Sequence, residues 1–442
     1  MPMTPLKYAL TIMILLLSLI AGVHADDALW KYRTQHDISC LELSPDASYI
    51  VAGGERIYCM DRDGSLVWRE HSGDDLRFIR DGTIVVGLRN NFLHFIDLEG
   101  ELTGREEITE DVGITDIVWM SDDGTEYFVL GSNCRVYAKD GDESLEMRID
   151  RMEQPSRVLM NGNTGRIIAV EENGLQCYNA RSGSRRWEHT ARGEEAVMTP
   201  DGAFVIYGAG NRIYEIDALH GETGERKERW QSRIEGEVLS MDVSNVEDEK
   251  FLIAIGTRDA TQHHTNNFVY LLDSDGREIW KHQCEFWIND IDITPSGNYI
   301  GAASLEKKVF VFDKEGNLYR EIETSEPARF VLLNEEENFG VAADAHNIYG
   351  FTLEREATAA DEENATPAMP PTTTPAPVPT PTRAPEPPVN ESKIVDRGAG
   401  GNASVDLPPV AGQSDTSGIL LEVQSALVSF FRGIFAALEE AT

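Results

Sequence analysis

Residues 38–69 read ISCLELSPDASYIVAGGERIYCMDRDGSLVWR, and the fold turns on this stretch. Its apolar residues fall in short strand-like runs without a helical period, and each run stops at turn-forming residues. A first strand ends at the turn over 44–47, a second follows, and a third covers Ile57–Asp61. The turn around Asp63-Gly64 then leads to a fourth strand ending in Trp68.

The same grammar returns in units that begin at Leu76, Ile114, Ser156, Glu195, Val238, Ile288 and Ala328, most of them about 35–50 residues apart. A four-stranded unit repeated at this period predicts an all-β fold, an eight-bladed β-propeller of four-stranded blades. The eighth unit offers only three strands before EREATAADEEN at 354–364. Residues 28–33, ALWKYR, resemble the fourth-strand segment SLVWR of the first unit. They are therefore expected to be the outermost strand of the last blade, closing the ring and removing an open sheet edge.

The Asp-x-Asp-Gly of DRDGSLVW (61–68) returns in DSDGREIW (273–280), which raises the question of a calcium loop. An EF-hand loop needs Gly at its sixth position and Glu at its twelfth. Counted from Asp61 these positions hold Leu66 and Ser72, and from Asp273 they hold Glu278 and Cys284. Both fail. Asp-Gly between apolar strands is hairpin chemistry, since Gly accepts the positive φ of the turn.

The Ser/Thr-Pro-Asp/Ser turns (SPDA, TPDG, TPSG) resemble those of Trp-Asp-repeat propellers. The endings DRDGSLVW, DSDGREIW and the near match NARSGSRRW resemble those of quinoprotein-type propellers. In the latter family the Trp docks one blade on the next, so the resemblance implies inter-blade packing roles for Trp68, Trp187 and Trp280, with Trp30 joining them. It covers 26–356 and speaks to fold more than to function, because propellers host unrelated activities.

Composition narrows the partners. Asp and Glu outnumber Lys and Arg 76 to 39, a formal charge of −37. Such a surface repels phosphate backbones, and no basic run compensates, so nucleic acid is excluded. Lys7 precedes an apolar run over 9–23, and VHA at 23–25 places small residues at the −3 and −1 positions, the layout of a signal peptide over 1–25 cleaved before Asp26. A retained anchor is the alternative reading. The five cysteines, Cys40, Cys59, Cys134, Cys177 and Cys284, have no CxxC spacing, and three sit in apolar strands. Free thiols are expected in preference to disulfides or zinc.

Residues 357–416 are rich in Pro, Thr and Ala and are expected to form an extended stalk with no packed core. Its sequons at Asn364, Asn390 and Asn402 are glycosylation candidates. In residues 417–442 a helical period places Ile419, Leu420, Val423, Leu427, Phe430, Phe431, Ile434 and Leu438 on one broad face. That face needs a cover. A membrane interface comes first, a protein or a second copy next, and a true span last, since Glu422 and Arg432 would have to enter the bilayer.

Chemistry is sparse. The resemblance to quinone-dependent dehydrogenases implies adjacent cysteines over the cofactor, and this chain has none. Hydrolase elbows, His-Glu-x-x-His and phosphate loops are also missing from the sequence. No cofactor, metal or catalytic residue is assigned. One local feature remains: unit six inserts RDATQHHTNN between its second and third strands, with His263 and His264. On the family's strand order this loop shares a face with Phe286 and Trp287 of HQCEFWIND, which makes these four residues a candidate partner site. The sequence therefore predicts an exported, cell-surface or membrane-associated, non-enzymatic binding or scaffolding propeller with protein partners. The runner-up is a head that binds a small molecule or glycan in the central channel, and an enzyme with an unrecognised site comes third.

Overall fold

The computed structural model describes residues 28–353 apart from 74, 81, 109–111, 142–145, 151, 163, 172, 220–227, 248 and 260–265. They form eight four-stranded antiparallel sheets, and every sheet is a simple meander except at the closure. The blades span 38–70, 75–107, 114–149, 157–189, 195–233, 237–283 and 288–323, with 330–351 completing the ring. Each blade begins within two residues of the start expected from the sequence. Among the described residues there is no helix, so none is long and apolar enough to cross a membrane. The expected signal peptide, stalk, sequons and apolar tail lie outside the described residues.

The closure is made as the repeat requires. Blade 8 takes three strands from 330–351, and its fourth is Trp30–Arg33, paired antiparallel with the third in the register Trp30↔Gly350 to Arg33↔Asn347. Leu29 N–H also donates to Gly350 O at 2.8 Å. The strand thus starts two residues later than expected, although its ladder reaches back to Leu29.

Within a blade, strand alternation sends alternate side chains to opposite faces, and each face meets a neighbouring blade. The apolar core is accordingly divided among the seams. One cluster, for example, joins Ile50 and Met60 of blade 1 to Phe339, Val341 and Ile348 of blade 8. Another joins Phe204 and Ile213 of blade 5 to Ile253 and Tyr270 of blade 6. The second and third strands carry the longest buried runs, such as YIVAGG at Tyr49–Gly54. Outer strands alternate exposed and half-buried residues, as in Glu278–Gln283. All five cysteines are free thiols, and burial pushes those of Cys40, Cys59, Cys177 and Cys284 up to about 12.

Candidate functional site

The turns that mark the repeat are seam devices. In blade 1, Gly64 N–H donates to Asp61 O at 3.0 Å, and the Asp61 carboxylate accepts Ser65 N–H at 2.8 Å. Gly64 has φ +81° while Asp63 keeps an ordinary backbone. The loop is therefore three residues long with a glycine bulge, one residue longer than a two-residue Asp-Gly hairpin, because the Asp61 side chain caps the extra position. The same bonds form at Asp97, Asp273 and Asp313.

Each of these turns receives an indole from the preceding blade. Trp30 Nε1 donates to Arg62 O at 2.7 Å and Trp68 Nε1 to Leu98 O at 3.0 Å. Trp230 donates to Ser274 O at 2.7 Å and Trp280 to Lys314 O at 3.0 Å. Trp187 makes a longer bond, 3.5 Å, to Ala218 O. A Cβ at Gly100, Gly276 or Gly316 would stand 2.8, 2.5 or 2.7 Å from the indole above it. The glycine and the tryptophan of a single motif thus serve different seams. Gly64 lies beneath Trp30, and Trp68 reaches forward to Gly100.

The inter-blade linkers emerge at the same end of the blades as the loops joining second to third strands, because the start of each inner strand pairs with the end of its second strand, as in Ile38↔Gly54. Tyrosines fasten these linkers. The hydroxyls of Tyr58, Tyr270 and Tyr349 accept the N–H groups of Gln35, Glu235 and Ser325 at 2.9, 3.0 and 2.7 Å. On this face a cleft of about 530 Å³ crosses blades 4, 5 and 6, lined by Ser156, Arg192, Glu194, Glu237 and Arg258 among others. Arg258 lies 3.3 Å from Glu237 and 3.5 Å from Glu194, and its guanidinium stands 5.9 Å over the Trp287 ring. Phe286 next to it is 46% exposed. Trp287 therefore stands beside the cleft through Arg258, Phe286 is its exposed neighbour in the chain, and His263 and His264 lie outside the described residues.

Around the axis the inner strands of neighbouring blades meet. They carry the acidic side chains Glu42, Asp75, Asp116, Glu195, Asp242, Asp290 and Asp292 against Arg77 and Arg157. Four of the carboxylates hold the next blade by its backbone. Asp75 accepts Ile117 N–H at 2.9 Å, Asp242 accepts Ile293 at 3.0 Å, Asp290 accepts Val331 at 3.0 Å and Asp292 accepts Leu333 at 2.6 Å. Arg77 lies 2.7 Å from Glu42 and 3.4 Å from Asp75, and Arg157 pairs with Glu195. Burial pushes the Asp116 and Asp290 carboxyls up to about 7, with Asp75 and Asp242 respectively adding repulsion. Among the described residues no three His, Cys, Asp or Glu side chains converge in a geometry that would hold a metal ion.

A family model described as outer membrane protein assembly factor BamB, a PQQ-type propeller, matches residues 25–226 and 148–364. The chain belongs to this family. No curated protein matches it. Among solved structures, Sqt1 of Saccharomyces cerevisiae is similar at 12% identity and a TM-score of 0.58, over 75% of this chain and 100% of that one. Sqt1 of Chaetomium thermophilum, bound to the N-terminus of ribosomal protein L10, is similar at 13% identity and a TM-score of 0.57, over 74% and 99% of the two chains. The Dos1 propeller matches at 14% identity with a TM-score of 0.57, over 75% and 95%. At such identities these likenesses speak to the fold alone.

In this BamB-family propeller, Trp230 was not marked by the motif, because residues 217–228 replace the short Asp-x-Asp-Gly turn with a longer connection. A usable signal lay one blade further on, since the Gly276 turn needs an indole from the blade before it. The acidic inner-strand set had no local signal, as its members, Asp290 and Asp292 apart, lie tens to hundreds of residues from one another.

Proposed function

We propose that the chain is an exported, non-enzymatic binding or scaffolding module that recruits a protein through the cleft on blades 4–6. The observation carrying this reading is the meeting of Arg258 with Glu194, Glu237 and Trp287 at the cleft, with the exposed Phe286 next to Trp287 in the chain. Aromatic and arginine side chains beside a polar cleft are the composition of binding hot spots. The scaffold beneath is held by backbone and indole bonds, so the rim is free to vary in chemistry without cost to the ring. The description of the family as an assembly factor, and the peptide held by the Chaetomium Sqt1 propeller, support a protein as the partner. Export rests on the apolar run after Lys7, and attachment to an envelope on the apolar face of 417–442.

The test is crosslinking and mass spectrometry on intact cells, comparing the native chain with Phe286→Ala, Trp287→Ala and Arg258→Ala. A hot-spot side chain is worth about 2 kcal/mol, so capture of the partner is expected to fall roughly thirtyfold for the most central of the three. Unchanged capture by all three variants would overturn the assignment of the cleft. Detection of the chain solely in the cytoplasm would overturn export.

A further inference from the structure

The carboxyls of the inner strands form two pairs across seams, the second two residues further along the strand than the first. Asp75 and Asp116 occupy matching positions on the inner strands of blades 2 and 3, and their side chains are hydrogen-bonded to each other. Asp242 and Asp292 do the same on blades 6 and 7. An ionised carboxylate is an acceptor only, so a hydrogen bond between two carboxyls exists only while one of them keeps its proton. In each pair the partner from the earlier blade also accepts a backbone N–H of the later blade, from Ile117 or Ile293. Side chain and backbone therefore tie the same two blades at the same point.

We propose that Asp75–Asp116 and Asp242–Asp292 are proton-bridged latches across the seams between blades 2 and 3 and between blades 6 and 7, and that loss of the bridging proton loosens these seams. Asp116 and Asp292 donate, while Asp75 and Asp242 accept. The first pair faces Arg77 on its own blade, Glu42 on blade 1 and Arg157 on blade 4. The second faces Asp290 on blade 7 and Arg157 across the axis, with the Leu333 N–H of blade 8 on Asp292. Glu195 of blade 5 is engaged by Arg157, and Arg329 of blade 8 is turned to Ile38 O at 3.3 Å. Two guanidinium groups thus stand against seven carboxyls, and removing a bridging proton puts two like charges in contact.

The sign of the pH dependence follows. Burial raises Asp116 from the ordinary aspartate value of 3.8 to about 7 and raises Asp292 and Asp242 as well. Between these limits the unfolded chain releases protons that the folded ring retains. Stability contributed by the latches is complete below the ordinary aspartate range and is lost as pH rises through the raised values of the folded state, which for Asp116 means toward about 7.

Thermal unfolding of the full chain at about pH 5 and about pH 8 tests this, with Asp116→Asn and Asp292→Asn combined in one variant. An asparagine amide donates to the partner carboxylate at either pH. The native chain is expected to show a lower Tm at the higher pH, and the variant to lose at least half of that gap. A Tm that does not fall in the native chain, or an equal gap in the variant, overturns the proposal. Infrared spectra give a readout independent of folding yield: the native chain near neutral pH should show the C=O band of protonated carboxyls. Absence of that band in the native chain would also overturn it.

Discussion

At Gly100, Gly276 and Gly316 two demands fall on one atom position. The backbone φ is +88°, +73° and +86°, where a side chain is strained, and an indole occupies the space a Cβ would enter. Gly210, with φ +58° and open space around it, meets only the first demand. Substitution by alanine is therefore expected to cost about 1 kcal/mol at Gly210 and about 3 kcal/mol at Gly276, read as a difference in denaturant midpoint. A second expectation concerns Glu215, which is fully buried and lies 3.1 Å from Arg229. Arg229→Ala leaves that carboxylate alone and should cost about 3 kcal/mol, whereas Glu215→Gln should cost less. The turn glycines were legible in the sequence because their chemistry is local. The partner of each glycine was not, because the indole arrives from the previous blade.

Blades obey the same division between local and distant signals. Strand order, turn positions and the strand that closes blade 8 followed from a short repeated grammar, and the observed starts differ from it by two residues at most. Seam composition did not follow from it. The outer strands of blades 2, 3 and 7 contain no tryptophan, so their seams rely on apolar clusters and on inner-strand carboxylates such as Asp75, Asp290 and Asp292. Closure depends on Trp30–Arg33, which completes blade 8 through a four-residue ladder and Lys31 over the Tyr349 ring and reaches blade 1 through the Trp30 indole. Deleting residues 26–34 is expected to lower Tm by about 10 °C, the scale of losing a large half-buried aromatic together with its strand from a large domain, measured by calorimetry. An unchanged Tm would mean that the ring holds without this strand.

For the whole molecule, the excess of acidic residues gives a formal charge of −37 that works against the compact state. Raising salt from about 0.02 M to about 0.5 M should raise Tm by screening this repulsion, and scanning calorimetry at fixed pH would show it. Half of the candidate site was legible at this scale. Phe286 and Trp287 stood out as aromatics in a linker, but Arg258 and Glu237 became neighbours only through strand pairing in blade 6, and Glu194 only when blade 5 packed beside it. The closing strand has one more consequence, for the order of events during synthesis. Trp30 leaves the ribosome about 320 residues before Gly350, the residue it faces in the finished ring. Through most of translation the first strand has no place to dock, and the third strand of blade 8 is born with a bare edge. The earliest segment of the propeller to be made is the last to settle, and in that interval a strand from another nascent copy competes for the same edge.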